Sequence, residues 1–220
     1  MTDLTPEPDR PEPGPVDRAA AFVAAGLERT LPRGAPATLE AAAREDPDPR
    51  VRAAALGALV RAAGRRRAAS AWQAAAADLH VAVRRRTAEL APALGATASV
   101  RTLLALLADD EVTVAEAAAW ALGEVVWAPR ARGAAVRGLV GAARHHDALV
   151  REAAVAALGA LGDRRGLDAV LAACTDRPAV RRRAVLALAP FDGSEVEAAL
   201  TRALDDPDWQ VRQAAEDLTR

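Results

Sequence analysis

The chain has 220 residues, enough for one sizeable core or a short array of stacked units, and its formal net charge of −1 supplies no global field for nucleic acid or an acidic membrane surface. A single cysteine, Cys174, excludes an internal disulfide framework and suits a reducing compartment. The longest run free of polar residues, 153–162, is far too short to span a bilayer, and the acidic, proline-rich N-terminus is the opposite of a signal peptide; the expectation is a soluble, cytoplasmic protein.

Every basic residue is arginine, and Lys, Asn, Ile and Tyr are absent. Those four share A/T-rich codons, so a G+C-rich genome explains the arginine excess without phosphate recognition. Residues 1–16, MTDLTPEPDRPEPGPV, combine proline and acidic charge with almost no apolar residues and read as a flexible tail, leaving 17–220 as the folded array. A first hairpin is expected with helices near 17–30 and 37–45. A recurrent valine, usually followed by arginine, then marks the repeats: Val51, Val83, Val114, Val150, Val180 and Val211. A nearly fixed period of this size with two helical patterns and no strand alternation specifies stacked helical hairpins.

The grammar inside each period has physical causes. Asp46, Asp78, Asp109 and Asp206 stand five residues before the valine, with Asp147 and Asp176 slightly closer. A carboxylate there can accept the free N–H groups of the coming helix. Alanines such as Ala154 and Ala157 let helices approach, and glycines 95, 123, 159 and 162 are expected to end their helices. Arg52, Arg84, Arg151, Arg181 and Arg212 follow the valine, with Ala115 the exception. Because Asp and Arg recur together, each arginine is expected to bond a turn Asp or carbonyl and tie adjacent repeats. Five residues after the valine the apolar stacking position becomes Glu216 in the last repeat, the mark of a capped array.

The pattern D-x-x-x-x-V-R-x-x-A-x-x-A-L-G-x-L resembles the HEAT repeat, in its short form similar to the HEAT-like repeats of bilin lyases, over about nine-tenths of the chain. The resemblance implies an all-α fold, a right-handed α-solenoid of about six to seven stacked helical hairpins. It also implies that the helices beginning at the Val-Arg pair line a concave face while the others form the convex back. The residues two, three and six after each valine would then face the groove.

Those positions supply Glu116, Trp120, Arg85, Glu89, Glu152, Arg182 and Leu186 as candidates for a partner-binding surface, and Glu124, one turn beyond Trp120, joins them. Trp120 is the expected anchor, since a tryptophan often dominates an interface. Glu116 and Glu124 flank it by four residues on the same helical face and could hold a cationic peptide or, in principle, act as acid and base. Trp72, Trp127 and Trp209 are assigned to packing. The alternative of nucleic-acid binding rests on Arg85, Arg86, Arg182 and Arg183, and includes a loose resemblance of the Trp120 and Glu124 pair to HEAT-like alkylpurine glycosylases. A lyase acting on a bound tetrapyrrole follows only from repeat similarity. His145 and His146, adjacent on a helix, would diverge by about 100°, and neither they nor Cys174 has metal-ligand spacing. No P-loop, GxSxG or dinucleotide fingerprint occurs. The expectation is a scaffold or adaptor for a protein partner, with no catalytic residues, metal or cofactor. The long 36-residue interval between Val114 and Val150, including the irregular segment 123–147, marks either an elaborated working face or a lengthened loop and helix.

Overall fold

The structure is a computed structural model that describes residues 13–28 and 32–219. Of the tail expected over 1–16, residues 1–12 lie outside the described residues, and Pro15 already opens the first helix. The described residues form thirteen α-helices and no strand. They are α1 (Pro15–Ala25), α2 (Ala35–Glu45), α3 (Pro49–Ala62), α4 (Arg65–Ala75), α5 (Val81–Leu94), α6 (Val100–Leu107), α7 (Val112–Glu124), α8 (Pro129–Ala142), α9 (Ala148–Leu161), α10 (Leu167–Ala173), α11 (Pro178–Ala187), α12 (Ser194–Leu204) and α13 (Trp209–Thr219). The odd-numbered helices stack on one another in chain order and the even-numbered ones back them, giving a two-layer helical solenoid.

The repeated valines Val51, Val83, Val114, Val150, Val180 and Val211 are all buried. So are the residues five places on, Leu56, Ala88, Ala119, Val155 and Val185, which lie between successive helices. Glu216 takes this place in α13 and is exposed.

A chain of arginine forks joins the repeats. Arg52 donates from Nε and Nη2 to both oxygens of Asp78, at 2.7 and 2.8 Å, and from Nη1 to the Asp46 carbonyl at 2.8 Å. Arg84 does the same with Asp109 and the Asp78 carbonyl, Arg151 with Asp176 and the His145 carbonyl, and Arg181 with Asp206 and the Asp176 carbonyl. Arg18 forks onto Asp46 at the start of the series. Each guanidinium therefore grips its own turn through a carbonyl and the next turn through a carboxylate, as the co-recurrence of Asp and Arg predicts.

Of the recurrent aspartates, Asp147 caps its helix directly, accepting the Leu149 N–H at 2.8 Å, whereas those five residues before the valine do not. Asp46, Asp78, Asp109 and Asp206 accept the backbone N–H two residues on, within the turn. Where a side chain caps the following helix, it comes from this later residue, as with Asp48 for Arg50 and Asp208 for Gln210. The aspartate's short reach goes to shaping the turn, which leaves its outer edge open to the neighbouring arginine.

Two of the four glycines expected to end helices lie within them instead. A Cβ on Gly123 would sit 2.8 Å from the Ala157 Cα, and one on Gly159 would sit 2.7 Å from the Ala187 Cα. These glycines let α7, α9 and α11 approach backbone to backbone. Gly95 and Gly162 do follow their helices, at φ 55° and 57°. The extra residues of the long interval extend the back layer: α8 has 14 residues against 8 in α6, preceded by the linker 125–128. Trp127 in that linker is buried and donates its indole N–H to the Leu122 carbonyl at 2.8 Å.

The forks make two predictions. Asp109→Asn leaves Arg84 half-buried with its fork broken, and is expected to lower unfolding free energy by about 2–3 kcal/mol. The readout is a drop in urea midpoint at unchanged slope; an unchanged midpoint would deny the fork any structural weight. The second prediction concerns acid. In Asp109, Asp176 and Asp206 the arginine hydrogen bond holds the carboxyl below its usual range. In Asp46 and Asp78 burial pushes upward, but the arginine and turn N–H bonds together outweigh it. A folded-state value below the unfolded one, about 3.9, means the stabilisation is complete above that pH and is lost as pH falls through the lower folded values. Urea midpoints should therefore fall below about pH 4, and fall less in Asp109→Asn, which has one carboxylate fewer to protonate.

Candidate functional site

The layer of odd-numbered helices encloses an open cavity of about 660 Å³ along α5, α7 and α9, with Arg183 of α11 at one end. Its lining follows the repeat register. Arg85, Glu116 and Glu152 come from two residues after the valine, Ala117, Ala153 and Arg183 from three after, and Glu89, Trp120 and Ala156 from six after. Alanines and Gly123 form much of the wall because α7 and α9 are packed through small residues. Trp120 stands on this wall 47% exposed, although its neighbours Ala119, Ala121 and Leu122 are fully buried.

The structure thus gathers six of the eight candidate residues, Arg85, Glu89, Glu116, Trp120, Glu124 and Glu152, around one cavity. Leu186 lines an adjoining recess of about 510 Å³ that shares Ala156, Ala160 and Arg183, so the groove continues toward α11. Arg182 lines neither; Arg183 beside it lines both. Leu149, exposed on the groove, escaped the sequence reasoning. Its signal was an apolar residue immediately before the valine, at a place that is Arg50, Ala82 or Gln210 in other repeats.

Ion pairs divide the charges. Glu89 is held by Arg85 at 3.0 Å and by Arg86 at 3.1 Å, and Glu152 faces Arg183 at 3.4 Å across two helices. That long contact leaves Arg183 Nε buried without an acceptor. Among the four arginines of the nucleic-acid alternative, Arg85, Arg86 and Arg183 therefore share two glutamates, Glu89 and Glu152, which offset most of their charge before any phosphate arrives.

The remaining candidates resolve individually. Trp72 is fully buried, its indole N–H donating to the Thr87 carbonyl at 2.6 Å. Trp209 is not packed as expected but 64% exposed at the start of α13. His145 and His146 lie in the turn after α8 rather than on a helix, with ring centroids 4.1 Å apart instead of diverging. His145 Nδ1 accepts the Asp147 N–H at 3.1 Å, so its ring helps form the turn. Among the described residues no three His, Cys, Asp or Glu side chains converge on a metal position, and no helix is long and apolar enough to cross a membrane.

Comparison with known proteins agrees with this architecture. Residues 100–179 match the family model for HEAT repeats. The fold is similar to that of YibA from Escherichia coli, at 19% identity and a TM-score of 0.67 over 96% of this chain and 78% of that one. It is also similar to a designed armadillo repeat protein, at 18% identity and a TM-score of 0.59 over 83% of this chain and 97% of that one. A second designed armadillo repeat protein, solved in complex with the peptide (KR)4, aligns at 16% identity and a TM-score of 0.60 over 84% of this chain and 98% of that one. No curated protein matches the chain in sequence. The described residues form an all-α helical repeat solenoid, of which 100–179 match HEAT repeats.

Cys174 follows α10, and burial pushes its thiol up to about 11. At pH 8 its native reaction with a thiol reagent should be on the order of 100-fold slower than after unfolding in urea, because so little thiolate is present. Comparable rates in the two states would show that the thiol is exposed.

Proposed function

We propose that this solenoid is a non-catalytic scaffold or adaptor that holds a protein partner in the groove of α5, α7 and α9. The observation that carries the reading is Trp120, a large aromatic left half-exposed in an open cavity whose walls are otherwise mostly alanine and charge. Tryptophan at the centre of a groove is the residue type that most often anchors an interface, and small residues around it give a partner room to seat. The designed armadillo repeat protein in complex with (KR)4 supports the idea that such a stack of helices can present a surface to a peptide. The polar groups on the cavity wall are glutamate, arginine and Thr113, a set suited to recognition of a partner.

Affinity capture from a native lysate, with and without nuclease, tests the reading. A stoichiometric protein is expected that survives nuclease, is retained by Trp209→Ala and is lost by Trp120→Ala. Both variants should keep the wild-type helical signal, since both side chains are exposed. Recovery abolished by nuclease would put nucleic-acid binding in place of this reading. Retention by Trp120→Ala would remove the groove from it.

A further inference from the structure

The charged side chains around the groove do not balance. Glu89 is matched by Arg85 and Arg86, and Glu152 by Arg183. Glu116 and Glu124 also line the cavity, yet neither has a cationic partner among the described residues. Both belong to α7 and stand one helical turn from Trp120, about 6 Å along the helix axis on either side of it. The half-exposed indole is thus bracketed by the two carboxylates that the protein's own arginines leave unmatched.

This arrangement discriminates between occupants. A neutral or acidic segment closing over the strip would strip water from two carboxylates and offer no compensating charge. A cationic side chain supplies what is missing. It can lie against the indole and donate hydrogen bonds to a carboxylate on either side, with an arginine fork doing both at once. The alanine floor at Ala153, Ala156 and Ala160 leaves space above Trp120 for the apolar stem of that side chain. We propose that the partner docks by presenting an arginine or lysine side chain to Trp120, with Glu116 and Glu124 as its counter-charges. This rests on the groove being a protein-docking surface.

The test is selection of a random dodecapeptide library against the full chain, followed by titration of the recovered peptides. Peptides carrying a shared arginine or lysine are expected. Replacing that residue by citrulline or acetyl-lysine should weaken binding about tenfold or more, as should the double variant Glu116→Gln/Glu124→Gln. The two losses should not add, because they remove the same contact. Peptides that lose binding with Trp120→Leu, but are indifferent to their own cationic residue and to the glutamate variant, would overturn the charge assignment and leave the groove as a docking surface. No recovered peptide, or only peptides indifferent to Trp120→Leu, would overturn both.

Discussion

A guanidinium that bridges two successive turns determines how the layers of this protein meet. Its Nη1 is fixed to a carbonyl of its own turn, and its Nε and Nη2 span both oxygens of the next aspartate. A bidentate contact of this kind sets distance and angle together, which a greasy alanine interface cannot do alone. Half-buried ion pairs contribute modestly to net stability once desolvation is counted. Their value here lies in register. When the turn of one repeat is locked to the next, positions two, three and six after each valine are carried to the same face of every odd helix, and a continuous groove results.

The one missing fork coincides with the groove's centre. Ala115 replaces the arginine of α7, so no guanidinium joins that repeat to the turn before α9. Gly123 packs against the Ala157 backbone at this joint, as Gly159 packs against Ala187 at the next joint, which also carries a fork. Behind it, Trp127 packs the linker to α8, and Arg132 bonds the Leu161 carbonyl and lies 3.5 Å from Asp163, tying α8 to the turn after α9. Small residues at the closest approach leave little side-chain bulk on the groove side, and the cavity opens there with Trp120 standing clear.

The fold was legible because its determinants recur. Aspartate and arginine at a constant offset imply one another in space, and both ends of the forks could be inferred before any coordinate. The six-after position of Trp120 likewise followed from the register. What failed was local ambiguity. A glycine near the end of a helical pattern serves equally as a terminator or as a site of close approach, and only the opposing Ala157 and Ala187 show which applies to Gly123 and Gly159. The helical pattern runs on past Gly141 into Ala142, Ala143 and Arg144, so the sequence does not show that α8 stops before His145 and His146, whose rings the turn brings together. The charge pattern of the groove was beyond reach for a different reason. Whether Glu152 is neutralised depends on Arg183, one repeat away and on another helix, so Arg183 rather than Arg182 belongs to the site.

The arginine-only composition illustrates how counting charges misleads and placing them does not. Arg18, Arg52, Arg84, Arg151 and Arg181 serve the inter-repeat forks; Arg50 and Arg165 fold back on the caps Asp48 and Asp163; Arg85, Arg86 and Arg183 are matched by glutamates in the groove. A guanidinium already committed to a carboxylate attracts a phosphate weakly at best, since the carboxylate repels it and must be displaced. Abundant arginine in the sequence is thus largely balanced by carboxylates in the structure, Glu116 and Glu124 being left over. Against that balance a pair of unmatched carboxylates is informative. Glu116 and Glu124 matter because the positions around them have been neutralised, which concentrates the remaining negative potential on the single exposed aromatic of the cavity.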